Sequence, residues 1–217
     1  MATALILSNA SNANEIYITQ AGDNLDLEVQ QRSEDNSVLL FGSGDNNDIT
    51  IRQGMHDDGT IDADETGGHE AYWFVAGDGN TVSSYQTDTN RGGGSGSPHH
   101  LANIVNGDNN QVEHIQMGKA GHDGFVEIQG DDNTVDLYQR GNGGQKWADI
   151  VLTGDGHTVD VDQRGSNAAT AAIDLTNSGG AYNYTLTQNV TTSADSFSIT
   201  GYCANANGCA VIVNRNN

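Results

Sequence analysis

A ten-residue unit that opens on glycine and closes on glutamine recurs seven times along this 217-residue chain. The copies run from Gly22 to Gln31, Gly44 to Gln53, Gly77 to Gln86, Gly107 to Gln116, Gly130 to Gln139, Gly154 to Gln163 and Gly179 to Gln188. A fixed repeat outranks other signals because a single unit cannot bury its own apolar face, whereas a stack of units can. It also points to a scaffold before a catalyst.

Within each copy the fifth and seventh residues after the glycine are mostly apolar: Leu27 and Val29, Ile49 and Ile51, Val135 and Leu137, Val159 and Val161. The closing glutamine shares their parity. A period of two means a strand with one face in and one face out. A second, less regular alternation precedes each glycine, as in Ile16 and Ile18, Val38 and Leu40, Trp73 and Val75, Val126 and Ile128, and Ile150 and Leu152. Between the two runs lies G-D-x-N or a close variant, a turn signature with positions suited to positive φ.

The unit therefore reads strand, tight turn, strand, connection. Its glycines are spaced 22, 33, 30, 23, 24 and 25 residues apart, so inserts lengthen two connections, at 54–70 and 87–100. The expected fold is all-β, a β-solenoid of seven to eight strand-turn-strand rungs. Eight rungs would form a rod ~40 Å long. Residues 1–13 read as a cap or docking strand, 14–188 as the solenoid, and 189–217 as a degenerate rung or cap.

Stacking assigns a role to the conserved-looking amides of the unit. Gln31, Gln53, Gln86, Gln116, Gln139, Gln163 and Gln188 would form one column, able to hydrogen-bond up and down as in cross-β ladders. Asn47, Asn80, Asn110 and Asn133 share a turn position; they suit the turn itself and are placed for a second ladder.

At this point the sequence resembles the curlin repeat of curli fibre subunits. Residues Ile16 to Gly22 (IYITQAG) match the first half of that unit. Gly130, Asn133, Val135, Leu137 and Gln139 match its second half, as do Gly44, Asn47, Ile49, Ile51 and Gln53. The first-strand glutamine survives only as Gln20, with Val75, Val105, Ile128 and Leu152 in its place. The resemblance, over about residues 14 to 188, implies a two-sheet β-solenoid of stacked parallel strands and a non-enzymatic, assembly-forming role.

The formal charge is −21, from 8 basic and 29 acidic residues. Nucleic acid is excluded as an expected partner, since phosphate binding needs clustered Lys and Arg; an anionic membrane surface is excluded likewise. No apolar run reaches the length of a membrane span. The N-terminal residues lack a basic n-region and a long h-region, so no secretory leader is read there. The expectation is a virion protein, with an extracellular cell-surface fibre as the alternative.

Candidate chemistry is sparse. Asp58, Asp62, Asp64 and Glu65 in the first insert echo the second half of a calcium loop, without early acidic ligands or flanking helices. No cofactor is required on this reading, and calcium is the one candidate. Glu28, Glu113, Asp136 and Asp160 share an outward position, where solvation or a bridging divalent ion would relieve their repulsion. Histidines at the inserts, among them His56, His69, His99 and His100, read as exposed loop residues. His114 falls at an inward position with Ser84 one rung earlier, which predicts a hydrogen-bonded polar spot in the core. Cys203 and Cys209 flank an Asn-Gly turn signal and form a candidate disulfide. No catalytic residue is assigned.

The functional expectation is a non-enzymatic structural subunit of a larger assembly: a phage fibre, spike or decoration protein. The alternatives are a secreted curli-like amyloid fibre or biofilm subunit, and an adhesin that binds a receptor or glycan through its loops. Partners are further copies of the chain or other structural proteins.

Overall fold

The computed structural model describes residues 14–54, 67–88, 96–177, 182–203 and 209–216. In chain order the strands are β1 (Glu15–Ala21), β2 (Asp26–Gln31), β3 (Ser37–Ser43), β4 (Asp48–Gln53), β5 (Glu70–Ala76), β6 (Thr81–Thr87), β7 (His100–Asn106) and β8 (Gln111–Met117). They continue as β9 (Asp123–Gln129), β10 (Thr134–Arg140), β11 (Lys146–Val151), β12 (Thr158–Arg164), β13 (Ala169–Asn177), β14 (Tyr182–Asn189), β15 (Asp195–Cys203) and β16 (Cys209–Asn216).

Odd-numbered strands form one eight-stranded sheet in the order β1-β3-β5-β7-β9-β11-β13-β15, and even-numbered strands form the other. The described pairs are all parallel, for example Val135↔Val159 and Gln139↔Gln163 between β10 and β12. Each rung is one odd and one even strand, which makes the architecture a two-sheet β-solenoid of eight rungs. The C-terminal segment supplies the eighth: β15 pairs with β13, and β16 pairs with β14.

The alternating residues meet between the sheets. Val38, Leu40, Ile49, Ile51, Trp73, Val75, Val126, Ile128, Val135, Leu137, Ile150, Val159 and Val161 all belong to one buried cluster. A core only two side chains thick needs few apolar residues, which reconciles the fold with 35% hydrophobic content.

The tight turn works through its glycine and its third residue. Gly44 has φ +104°, and a Cβ there would lie 2.0 Å from the carbonyl oxygen of Gly77 on the next rung. Asn46, two residues on, sits at φ 59°. Close stacking of turn backbones thus demands glycine, and the left-handed third position favours Asn, Asp or Gly. The inserts are slightly shorter than the sequence implies: Glu70 already belongs to β5, and Thr87 and His100 belong to β6 and β7.

Candidate functional site

The glutamine column is continuous. Nε2 of each residue donates to Oε1 of the next, at 2.9 Å from Gln31 to Gln53, 2.9 Å from Gln53 to Gln86, and 3.0 Å from Gln86 to Gln116. The steps from Gln116 to Gln139 and Gln139 to Gln163 are 3.0 Å, and that from Gln163 to Gln188 is 2.9 Å. Each Nε2 from Gln31 to Gln163 also donates to a carbonyl of the opposite sheet, as Gln116 does to His100 O and His122 O. The ladder therefore sews the two sheets together as well as the rungs. Among the described residues, Gln31 Oε1 and Gln188 Nε2 at its two ends are buried without a partner, and Arg215 holds the glutamine register position in β16.

The asparagine column is built differently from an amide-to-amide ladder. Asn47 Oδ1 accepts the backbone N–H of Asn80 at 2.9 Å, while Asn47 Nδ2 donates to Gly77 O at 2.9 Å. Asn80, Asn110 and Asn133 repeat the arrangement, which ends where Asn133 Oδ1 accepts from His157 N–H. A short side chain on a turn reaches main chain more readily than it reaches its counterpart. Outside this column runs a second one of Asp23, Asp45, Asp78, Asp108, Asp131 and Asp155, in which each Oδ1 from Asp45 onward accepts the N–H of the aspartate one rung earlier.

The opposite arc holds a column that the sequence reading missed. Asn14, Asn36, His69, His99, His122 and Lys146 each stand at the entrance to the odd strand. Asn36 Oδ1 accepts from His69 N–H, His69 Nδ1 from His99 N–H, His99 Nδ1 from His122 N–H, and His122 Nδ1 from Lys146 N–H. The imidazoles stack at 5.0 and 4.9 Å between centroids. His69 and His99 are thus buried, correcting their reading as exposed loop residues. Burial lowers the pKa of His69 to about 4 and drives those of His99 and His122 well down. Lys146 closes the column with its ammonium on the carbonyls of Gly144, Gly165 and Asn167, and burial brings its pKa down to about 8. The signal lay in the residue eight positions before each of the first six repeat glycines, a position that changes from Asn to His to Lys along the chain.

The polar spot in the core is present but not hydrogen-bonded. Ser84 pairs in register with His114, yet among the described residues Ser84 Oγ and the Asn103 amide find no partner, and the His114 ring nitrogens make no hydrogen bond of good geometry, only a looser approach to the Gln139 side chain. Burial pushes the His114 imidazole down to about 3. Its ring fills space left by Gly124, where a Cβ would lie 2.1 Å from His114 Cε1. Shape, not a Ser–His contact, explains the site.

Glu113, Asp136 and Asp160 lie in register on β8, β10 and β12. Partial burial, then the neighbouring carboxylates, raise the pKa values of Asp136 and Asp160. Glu28 is instead paired with Arg52 at 2.9 Å. Among the described residues no three His, Cys, Asp or Glu side chains converge as a metal site. Asp58, Asp62, Asp64 and Glu65 lie outside the described residues, as do the side chains of Cys203 and Cys209.

One groove, of about 650 Å³, crosses the outer face of the odd-strand sheet. Its floor is Ala102 on β7, flanked in register by Tyr72 on β5 and Phe125 on β9. Trp147 and Asp149 of β11 stand beside Asp123 and Phe125 of β9. Glu70 at the other side pairs with His100 Nδ1 at 3.0 Å. Outward columns carry no hydrophobic period, so this clustering emerges only once the register is known.

No curated protein and no solved structure matches the chain. Residues 130–165, which span β10, β11 and β12, match the family model of the curlin associated repeat.

Proposed function

We propose that this chain is a non-enzymatic structural subunit that joins its assembly through the ends of the solenoid. The carrying observation is the topology: β1 and β2 at one end, and β15 and β16 at the other, each pair on one side only among the described residues. An unpaired parallel edge is a template for another strand. The buried Oε1 of Gln31, without a partner among the described residues, adds an acceptor that a further rung would satisfy. The histidine and serine of the core lie sealed from any substrate, which is in keeping with a scaffold.

The setting we favour is a virion fibre, spike or decoration protein. Supporting it are breaks in both amide columns: Leu25 in the first rung and His157 in the sixth replace the turn asparagine, and Arg215 in the last rung replaces the ladder glutamine. Such breaks suit a block of fixed length. The second reading, a secreted curli-like fibre or biofilm subunit, draws on the curlin-repeat match and the open edges.

Negative-stain microscopy at rising protein concentration, with calcium and with chelator, tests both. Discrete particles, lengthening into filaments in Arg215→Gln, are expected. Long filaments from the unaltered chain would transfer the assignment to the fibre. A chain that stays monomeric in both forms, even at high concentration, would overturn joining through the ends.

A further inference from the structure

The groove on the odd-strand sheet goes beyond an assembly role. On three of its strands an acid and an aromatic residue stand two apart on the outward face: Glu70 and Tyr72 on β5, Asp123 and Phe125 on β9, and Trp147 and Asp149 on β11. Register sets Asp123 beside Trp147 and Phe125 beside Asp149, so carboxylates and rings alternate at the corners of a square. On β7 the equivalent pair is His100 and Ala102, and the small alanine lets the sheet surface dip between the two flanking rings.

The carboxylate of Asp149 is uncompensated in this square. His100, in register with Asp123, is hydrogen-bonded to Glu70 and acts on Asp123 only through its field, and Gln145 donates to Asp123 without neutralising it. Asp149 has no cationic partner among the described residues; partial burial, then Asp174 and Glu127, raise its pKa. Burial raises that of Asp123 as well, with His100 opposing. Anions are repelled here, and a neutral sugar would leave the carboxylates unpaired in charge. An aromatic face attracts a cation through its quadrupole, most strongly when the cation carries apolar groups and sheds water easily. The volume falls in the range of small-molecule sites, which run from roughly 300 to 1,000 Å³.

We propose that the groove between Tyr72 and Trp147 binds a small alkylammonium cation, held by the rings of Tyr72, Phe125 and Trp147 and by the carboxylates of Asp123 and Asp149. The proposal is independent of how the solenoid ends assemble.

Trp147 is 43% exposed and Trp73 fully buried, so changes in tryptophan emission on ligand addition report on the groove. Choline is the probe, with its uncharged carbon isostere dimethylbutanol and a neutral oligosaccharide, cellotriose, as comparisons. Choline should perturb the emission saturably, with the isostere roughly tenfold weaker and Asp149→Asn weakening choline roughly fivefold or more. Asp136→Asn, on the other sheet, should leave binding unchanged, and circular dichroism should show both variants folded. Absence of saturable choline binding by emission and calorimetry would overturn the proposal. So would equal binding of the isostere, unchanged affinity in folded Asp149→Asn, or binding of cellotriose alone.

Discussion

His99 stacks on His69 with ring centroids 5.0 Å apart, and its own backbone N–H donates to His69 Nδ1 across 3.0 Å. An Nδ1 that accepts a hydrogen bond carries no proton, so the ring is neutral and its hydrogen sits on Nε2. His99 Nε2 accordingly donates to Thr87 O, and His122 Nε2 to Met117 O. The column depends on neutral imidazoles.

That dependence fixes the response to acid. His69 has its pKa lowered from 6.5 to about 4, chiefly by burial, with Asp88 opposing and His100 assisting. Between those values the unfolded chain binds more protons than the folded one. Stability is therefore full above about pH 6.5 and is lost as pH falls towards 4, by about 3 kcal/mol for this residue alone. Asp123, Asp136, Asp149 and Asp160 act in the opposite sense, because their folded pKa values are raised from 3.8. Those groups are partly exposed, so solvent screens their effect relative to that of the fully buried imidazoles. Urea denaturation at pH 7 and pH 5 should show the native chain weaker at pH 5. His99→Asn should flatten the difference, since Asn36 already accepts the next N–H in this column. An unchanged pH slope in a folded His99→Asn would show the column to be irrelevant to acid sensitivity.

The glutamine ladder predicts a gradient along the rod. Gln116→Leu removes the acceptor of Gln86 Nε2 and the donor to Gln139 Oε1, both buried. Leaving such groups unsatisfied should cost about 3 kcal/mol in urea denaturation. Gln31→Leu breaks one ladder bond only, since Gln31 Oε1 has no partner among the described residues, and should cost about 1 kcal/mol. Equal costs at the two positions would mean that the amides contribute by packing alone.

The sequence exposed what repeats with the same residue type at constant spacing and hid what changes residue type or depends on register between strands. Val135, Val159 and the seven glutamines are inward at fixed distance from their glycines, so period-two counting places them. His69, His99 and His122 also keep a constant distance, eight residues before Gly77, Gly107 and Gly130, but the residue type at that position changes from Asn to His to Lys along the chain, and that change hides the column. Lys146, a residue type ordinarily found at the surface, gives no sign in one dimension that it closes the column. Ala102 has no meaning in one dimension. It becomes the floor of a groove only when β5 and β9 bring Tyr72 and Phe125 to either side of it.

Gly124 and His114 should be coupled. A Cβ at Gly124 meets the buried His114 ring, so Gly124→Ala forces a shift in a close-packed core and should cost about 1–3 kcal/mol. In the neighbouring rung the Gly124 position is Ala148, and the His114 column continues as Leu137 and Val161. His114→Val removes the clash and two buried ring nitrogens without a good hydrogen bond together. In a double-mutant cycle the pair Gly124→Ala and His114→Val should recover most of the loss, a coupling of about 1–3 kcal/mol. Additive costs would place the ring elsewhere than against Gly124.

The column of turn aspartates makes the fold sensitive to salt. Asp45, Asp78 and Asp108 occupy consecutive rungs, ~4.8 Å apart along the stack. Like charges at that spacing repel, and the formal charge of −21 adds to the strain. The Debye length falls from about 10 Å at 0.1 M salt to about 3 Å at 1 M, so added salt should raise the melting temperature. Asp78→Asn keeps the Oδ1 that accepts Asp45 N–H and removes one charge. It should melt above the native chain at low salt and level with it at high salt. Asp78→Ala loses the acceptor and should melt lower in both. If Asp78→Asn also melts lower at every salt concentration, the carboxylate is needed for its charge and not only as an acceptor, and repulsion along the column is outweighed.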